Sequence, residues 1–273
     1  MSACGDSGCG TCGTAAPGGA GWERRGFRIT SFDSVVALAG NPNTGKSTVF
    51  NHLTGLHQHT GNWPGKTISR ADGAFEFHGT RYRLVDLPGT YSLLSASPDE
   101  EVARDFILFG RPDVTVVVVD ATALERNLNL ALQIFQITRR AVIALNLMDE
   151  AAAHGVRVDD RGLARDLGVP VVPMAARKGE GIDALVATID AVRRGDIVCN
   201  PKAFHFPVPG LEESVASLAR DLAGLYPGLP QARWVALRLL QGDGRIREAL
   251  RSGDFELLAG PVGPNQPSPE PAA

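Results

Sequence analysis

The stretch "GNPNTGKS", Gly40 to Ser47, constrains this chain more than any other. It follows the apolar run "SVVALA" (Ser34 to Ala39) and precedes "TVFNHL" (Thr48 to Leu53). A strand, a glycine-bearing turn and a helix in that order make a phosphate cradle, because glycines let backbone N–H groups converge on phosphate oxygens at a helix N-terminus. Gly40-x4-Gly45-Lys46-Ser47 satisfies the P-loop pattern in that context. Lys46 then offers a point charge to the β- and γ-phosphates, and Ser47 offers an oxygen to Mg²⁺. The bland alternative is a glycine turn with a chance lysine, and the flanking elements argue against it.

The rest of the chain supports an α/β reading. Strand-like runs recur at "VVALA", "YRLVD", "VTVVVVD", "AVIALN" and "VPVVPM", separated mostly by helical patterns such as "LERNLNLALQIFQI". That alternation predicts a largely parallel sheet covered by helices on both faces. "GAFEFHGTRYRLVD" places alternating runs on either side of His78-Gly79-Thr80, which reads as a hairpin and makes the sheet mixed. After about Gly195 the strand signals stop. Leu211, Val215, Leu218, Leu222 and Leu225 follow one another at helical spacing, so a small helical unit is expected over 196–258.

The termini carry less. Residues 1–21 hold seven glycines and three cysteines, too little apolar surface to offset the entropy of ordering them, so 1–25 is expected to be a flexible tail. Residues 261–273 hold five prolines, and 259–273 reads as an extended linker. The nucleotide unit is placed at 26–195. A net charge of −3, from 27 basic and 30 acidic residues, gives no general attraction to nucleic acid or an anionic membrane. No apolar run reaches eighteen residues, and no signal-type h-region opens the chain, which argues for the cytoplasm. Cys4, Cys9, Cys12 and Cys199 do not suggest a disulfide framework.

A P-loop does not by itself choose a base. "ALNLMDE" ends an apolar strand with Asn146-x-x-Asp149, which would set a carboxylate at the nucleotide edge of the sheet. A carboxylate accepts from guanine N1–H and the 2-amino group, whereas adenine offers an acceptor at N1 and no 2-amino group. Alone, such a pattern is more often a loop with a helix cap; after a P-loop at this distance, base reading is the better account.

At this point the chain resembles the translation-factor class of P-loop GTPases, whose five motifs occur in order. The resemblance implies a Ras-like α/β domain with a mixed, mostly parallel six-stranded sheet. The first motif spans Gly40, Asn41, Pro42, Asn43, Thr44, Gly45, Lys46, Ser47 and Thr48. The second is Thr67 within Gly65-Lys66-Thr67-Ile68-Ser69, and the third is Asp86-Leu87-Pro88-Gly89. The fourth is Asn146-Leu147-Met148-Asp149, and the fifth is Met174-Ala175-Ala176. Carried over, Ser47 and Thr67 would hold Mg²⁺, Asp86 would hold it through water, and the Gly89 N–H would sense the γ-phosphate. The backbone of Ala175 and Ala176 would touch the guanine oxygen. Asn43 would hold a K⁺ ion that activates hydrolysis, which makes Asn43, Lys46, Thr67 and Gly89 the candidate catalytic residues.

There are departures. Leu147 stands where the class has lysine, and Ala175 where it has serine, so weaker binding and faster exchange are expected. Thr90 follows Gly89 where signalling GTPases carry the glutamine that orients water, so slow hydrolysis is expected.

The finer resemblance is to FeoB, the family of bacterial ferrous iron transporters, carried by "GNPNTGKSTVFNHLTG", "GNWPGKT", "LVDLPGTYSL", "DATALERNLNLALQ" and "WVALRLLQGD" over about residues 34–250. It implies the N-terminal cytoplasmic GTPase module with its helical domain, at the inner face of a bacterial inner membrane. The implied partners are a C-terminal membrane transport domain and small accessory iron-transport proteins, with no nucleic acid; a homo-oligomer is compatible with the sequence. The rivals are a soluble tRNA-modification or ribosome-assembly GTPase, and a guanine-nucleotide sensor with negligible turnover.

Several residues carry two readings each. Cys4, Cys9 and Cys12 could hold Fe²⁺ or Zn²⁺ with Asp6 or Cys199, or be a solvated tail. His52, His57 and His59 suggest a metal, but two of them fall in the presumed first switch, where polar residues are ordinary. Trp63 is a nucleotide-dependent switch element or a hydrophobic anchor. Glu100 and Glu101 could position water, though acidic residues at a helix start are common.

Overall fold

The computed structural model describes residues 32–255, apart from 56–57, 64–65, 95–96, 203–209, 228 and 230. Seven strands form one sheet: β1 (Ser34–Gly40), β2 (Gln58–Asn62), β3 (Ser69–Phe77), β4 (Thr80–Asp86), β5 (Val114–Asp120), β6 (Ala141–Asn146) and β7 (Val171–Pro173), in the order β2-β3-β4-β1-β5-β6-β7. The five strands from β4 to β7 in that order run parallel, while β2 and β3 are antiparallel to their neighbours. The expected mixed sheet is present with one strand more than the six expected. The extra strand is β2, "QHTGN", on the edge. Backbone pairing with β3 holds it, so it needs no apolar alternation, and its sequence reads as a loop.

The β3–β4 hairpin turns on His78-Gly79 alone, and Thr80 opens β4. His78 and Gly79 have φ of 48° and 74°, the left-handed pair of a two-residue hairpin turn whose twist matches its strands.

Strand alternation divides the core in two. Ala37, Ala39, Val117, Val119, Ile143 and Leu145 face one side, and Val36, Leu38, Val116, Val118, Val142 and Ala144 face the other. Against the second side pack α1 (Lys46–Thr54) and α6 (Ile182–Arg194). The first side takes α2 (Pro98–Gly110), α3 (Leu124–Phe135), α4 (Met148–Ala153) and α5 (Asp160–Leu167). Helix α2 is started by the Ser97 hydroxyl, which accepts the Glu100 N–H, with Pro98 next and three acidic residues in the first turn. That arrangement accounts for Glu100 and Glu101 as helix-start residues.

Three C-terminal helices, α7 (Leu211–Leu225), α8 (Ala232–Leu240) and α9 (Gly244–Arg251), extend the first side of the core. Val215, Leu222, Trp234, Val235, Leu237 and Ile246 join the same apolar cluster as Phe106 and Phe109 of α2. Leu225, read as the last member of the α7 stripe, is exposed, because the helix ends there and the chain turns at Tyr226. Buried Arg104 of α2 crosses to Asp243 at 3.1 Å, and Arg238 donates to the Leu94 carbonyl at 3.1 Å.

Strand register aligns the carboxyl ends. Leu38 lies opposite Asp86, Gly40 opposite Val118, and Asp120 opposite Asn146. Gly40, Asp86 and Asn146 therefore emerge along one edge of the sheet, where open α/β folds bind ligands.

Candidate nucleotide site

The P-loop closes because two of its residues must be glycine. A Cβ on Gly40 would lie 2.8 Å from the Val118 carbonyl oxygen. Gly45 has φ of +81° and a Cβ there would sit 2.3 Å from Asn146 Nδ2, so any larger residue would be strained and would displace that amide. Between them Asn43 is also left-handed, with φ 66°, and exposed. The buried Thr44 hydroxyl donates to the Asn41 carbonyl at 2.9 Å. Asn41 is itself buried, and neither atom of its side-chain amide has a hydrogen-bond partner among the described residues. Helix α1 begins at Lys46 with no acidic residue in its first turn and no side-chain cap. Its free N–H groups and positive end suit an anion. Ser47 is exposed at that end, and Thr48 half-buried behind it.

The third motif lies against this loop. Asp86 ends β4 and pairs with Lys46 Nζ. Burial pushes the Asp86 carboxyl above its usual range, and the Lys46 charge and hydrogen bond oppose that push. The Leu87 N–H donates to Leu38 at 2.9 Å and the Thr90 N–H to Gly40 at 3.3 Å. Exposed Gly89 leaves room for a Cβ only 3.5 Å from the Pro42 nitrogen, and Pro88 is half-buried.

The second motif is differently placed. Lys66 and Thr67 are exposed, and Lys66 pairs with Glu101 of α2 at 2.8 Å. Among the described residues no hydrogen bond joins Thr67 to Ser47 or Asp86. Ile68 packs on the core and Ser69 opens β3 opposite Asn62. Trp63 is buried, edge-on to Phe106 at 5.4 Å, and its backbone N–H donates to the Ile68 carbonyl at 2.9 Å. It anchors the loop in this conformation. Gly65, His57 and the residues Cys4, Asp6, Cys9 and Cys12 lie outside the described residues. Among the described residues no three His, Cys, Asp or Glu side chains gather to hold a metal, so His52 and His59 make no cluster.

At the base end, buried Asn146 joins two motifs. Its Nδ2 donates to the Thr44 carbonyl at 2.9 Å, and its Oδ1 accepts the Ala176 N–H at 2.9 Å. The Met148 N–H reaches the Met174 carbonyl at 3.2 Å, and Ala175 bonds across its loop to Glu180. Met174, Ala175 and Ala176 are all buried. Leu147 is left-handed, with φ 62°, which turns the chain into α4. Asp149 in the first turn of α4 pairs with Lys178 at 3.0 Å. The hydrogen bond from Lys178 holds the Asp149 carboxyl below its usual range. Sequence reading missed Lys178; its only signal is a basic residue after the fifth motif.

The donor set fits a hard divalent cation. The Ser47 hydroxyl, the Asp86 carboxylate and the Thr67 hydroxyl are oxygen ligands of the kind Mg²⁺ takes alongside phosphates.

A cradle of this build at the carboxyl edge of a mostly parallel sheet, with Asn146-x-x-Asp149 beside it, defines the class as a P-loop GTPase domain. The model of the family described as ferrous iron transport protein B, its N-terminal FeoB region, matches residues 34–189, and the chain belongs to that family. The Fe(2+) transporter FeoB of Salmonella choleraesuis is 43% identical over 213 residues, covering 77% of this chain and 27% of that protein. The chain thus spans about a quarter of the length of the curated relatives it matches. The cytosolic domain of L. pneumophila FeoB superposes with a TM-score of 0.73 at 33% identity, covering 82% of this chain and 87% of that one. The cytosolic domain of T. maritima FeoB in a GDP form gives 0.72 at 33% identity, covering 82% and 86%. Among the described residues no helix is long and apolar enough to cross a membrane.

Proposed function

We propose that this chain binds GTP with Mg²⁺ and hydrolyses it slowly to GDP, and that it regulates ferrous iron uptake through a membrane domain C-terminal to it, at the inner face of a bacterial inner membrane. In this reading residues 26–195 form the nucleotide unit and 196–258 the helical one. The observation that carries it is the Asn146 amide, which ties the phosphate cradle at Thr44 to the fifth motif at Ala176. The phosphate grip and the base reader therefore form one cleft. The iron comes from the relatives, which are Fe(2+) transporters.

Lys46 exchanges its Asp86 partner for the β- and γ-phosphates and neutralises them. Ser47, Thr67 and Asp86 would hold Mg²⁺, which supplies charge neutralisation on the phosphate oxygens when bound. Asn43, exposed and left-handed beside the cradle, would hold the activating K⁺, whose charge does what an arginine finger does elsewhere. Gly89 and Thr67 respond to the γ-phosphate and order the loops around them. Thr90 is buried and supplies no amide to hold water, so turnover on the order of 10⁻⁴ to 10⁻² s⁻¹ is expected without activation.

The test is base exchange. Asp149→Asn abolishes GTP binding and permits xanthosine triphosphate, since the amide donates to the xanthine 2-oxo group. Unchanged GTP affinity in the variant overturns the base assignment. Single-turnover phosphate release then separates a GTPase from a sensor without turnover. A rate equal in Na⁺ and K⁺ at fixed ionic strength removes the monovalent ion from the mechanism.

A further inference from the structure

We propose that Lys178 is a positioning residue for guanine recognition, reaching from the fifth loop to hold the Asp149 carboxylate in place for the base; this rests on the reading of Asp149 given above. Lys178 Nζ lies 3.0 Å from Asp149 Oδ2. The fourth motif supplies no cation of its own, since Leu147 occupies its second position. The lysine that braces the carboxylate comes instead from a separate loop, 29 residues further along the chain.

The loop gives Lys178 a fixed root. It ends the short helical turn Ala176–Lys178, its N–H donates to the Ala175 carbonyl at 2.8 Å, and the Gly179 N–H donates to Ala176 at 3.0 Å. The Ala175 N–H meets the Glu180 carbonyl at 3.1 Å, and Asn146 pins Ala176. Backbone and amide bonds thus close the loop without the Lys178 side chain. Lys178 is about half exposed, and an exposed pair of this kind contributes little to folding. Its consequence lies in where it points the carboxylate.

Lysine and base do not compete for the same lone pairs. An ionised carboxylate has about four acceptor positions. Guanine N1–H and its 2-amino group use one on each oxygen, and Lys178 uses a second on Oδ2. Asp149 stands in the first turn of α4, where the backbone N–H groups of Glu150 and Asp149 also reach its carboxylate, and the Lys178 hydrogen bond acts on it most strongly. A charged donor on one oxygen orients the fork that the base must meet. Were the lysine instead a plug that guanine must displace, removing it would tighten binding.

The test measures dissociation of fluorescently labelled GDP by stopped flow with the whole chain, comparing wild type, Lys178→Gln, Lys178→Arg and Asp149→Asn, each checked for a native circular dichroism spectrum. Lys178→Gln raises the dissociation rate about fivefold to tenfold, as loss of one charge-assisted orienting bond predicts. Lys178→Arg stays within about twofold of wild type. In the Asp149→Asn background, with xanthosine diphosphate as ligand, Lys178→Gln loses most of its effect, because the charge it served is gone. A Lys178→Gln rate within twofold of wild type, or a slower one, overturns the proposal while leaving base reading intact. Retention of GDP by Asp149→Asn overturns base reading and this proposal with it.

Discussion

The two walls of the cleft are built on different principles. On the cradle wall, Gly40 is enclosed, buried Thr44 and Ala176 are joined through the Asn146 amide, and a Cβ at either P-loop glycine has nowhere to go. On the switch wall, an edge strand of polar residues leads through exposed Lys66 and Thr67. Trp63 anchors that wall against Phe106, and a surface ion pair adds to it. The first wall is preorganised for an anion before any arrives. The second has the few buried contacts of segments that open locally at low cost. Under the proposed function, gripping phosphate and responding to the loss of one call for both.

Three substitutions break or sharpen this comparison. The largest effect is expected behind the switch wall. Asp243 pairs with buried Arg104 and with Arg238, and accepts the Arg245 and Ile246 N–H groups at the start of α9. Asp243→Ala takes from buried Arg238 its carboxylate, leaving it the neutral oxygens of Gln241 and Leu94, takes from buried Arg104 one of its carboxylates, leaving it Asp105, and removes the cap of α9; together this costs about 3–5 kcal/mol, read as a lower urea midpoint. Burial works to raise the Asp243 pKa, but the hydrogen bond from Arg238 and the charge of Arg104 outweigh it and the net shift is downward. A carboxyl with a depressed folded pKa contributes fully above its unfolded value of about 4 and loses the contribution as pH falls through the folded one. The gap between wild type and variant is therefore constant from pH 7 to about 5 and narrows below about 4. A gap that instead widens in acid contradicts the assignment.

Next comes the cradle wall. Asn146→Ala orphans the Thr44 carbonyl and the Ala176 N–H and costs about 2–3 kcal/mol of stability. GDP affinity falls as well, because the P-loop and the fifth loop are no longer joined. If affinity holds while stability drops, Asn146 is a core residue and not the tie between phosphate and base. The smallest effect belongs to Lys66→Ala, which removes an exposed pair and shifts stability by less than about 1 kcal/mol. Subtilisin cleavage within residues 57–69 quickens nonetheless, most in the GDP state. Equal cleavage of both forms in GDP and in a non-hydrolysable GTP analogue means that this wall does not respond to nucleotide.

The same contrast decides what could be read from the chain alone. The cradle wall was legible because its chemistry is local: Gly40 to Ser47 is one contiguous motif, and β1, β5 and β6 are apolar runs with no competing pattern. Asn146 and Asp149 sit at a strand end whose position is set by that run. On the switch wall β2 was not legible, since an edge strand bonded through its backbone leaves no side-chain period. The hairpin was found with its turn one residue too long, because Thr80 suits a turn as well as a strand. Leu225 fits the α7 stripe by spacing and fails only because the helix stops. Arg104 with Asp243, 139 residues apart, and Lys178 with Asp149 are ion pairs between distant segments, and composition holds no record of which charge meets which.

The contact between Arg238 and the carbonyl of Leu94 has a further meaning. Every amino acid carries that oxygen, so the C-terminal helices grasp the loop after Asp86-Leu87-Pro88-Gly89 by a handle that no side-chain replacement removes. A scan replacing Leu94 with other residues would pass over the junction in silence. Shortening or lengthening the loop by one residue would move the handle out of reach, so this joint records the length of the chain and not its spelling.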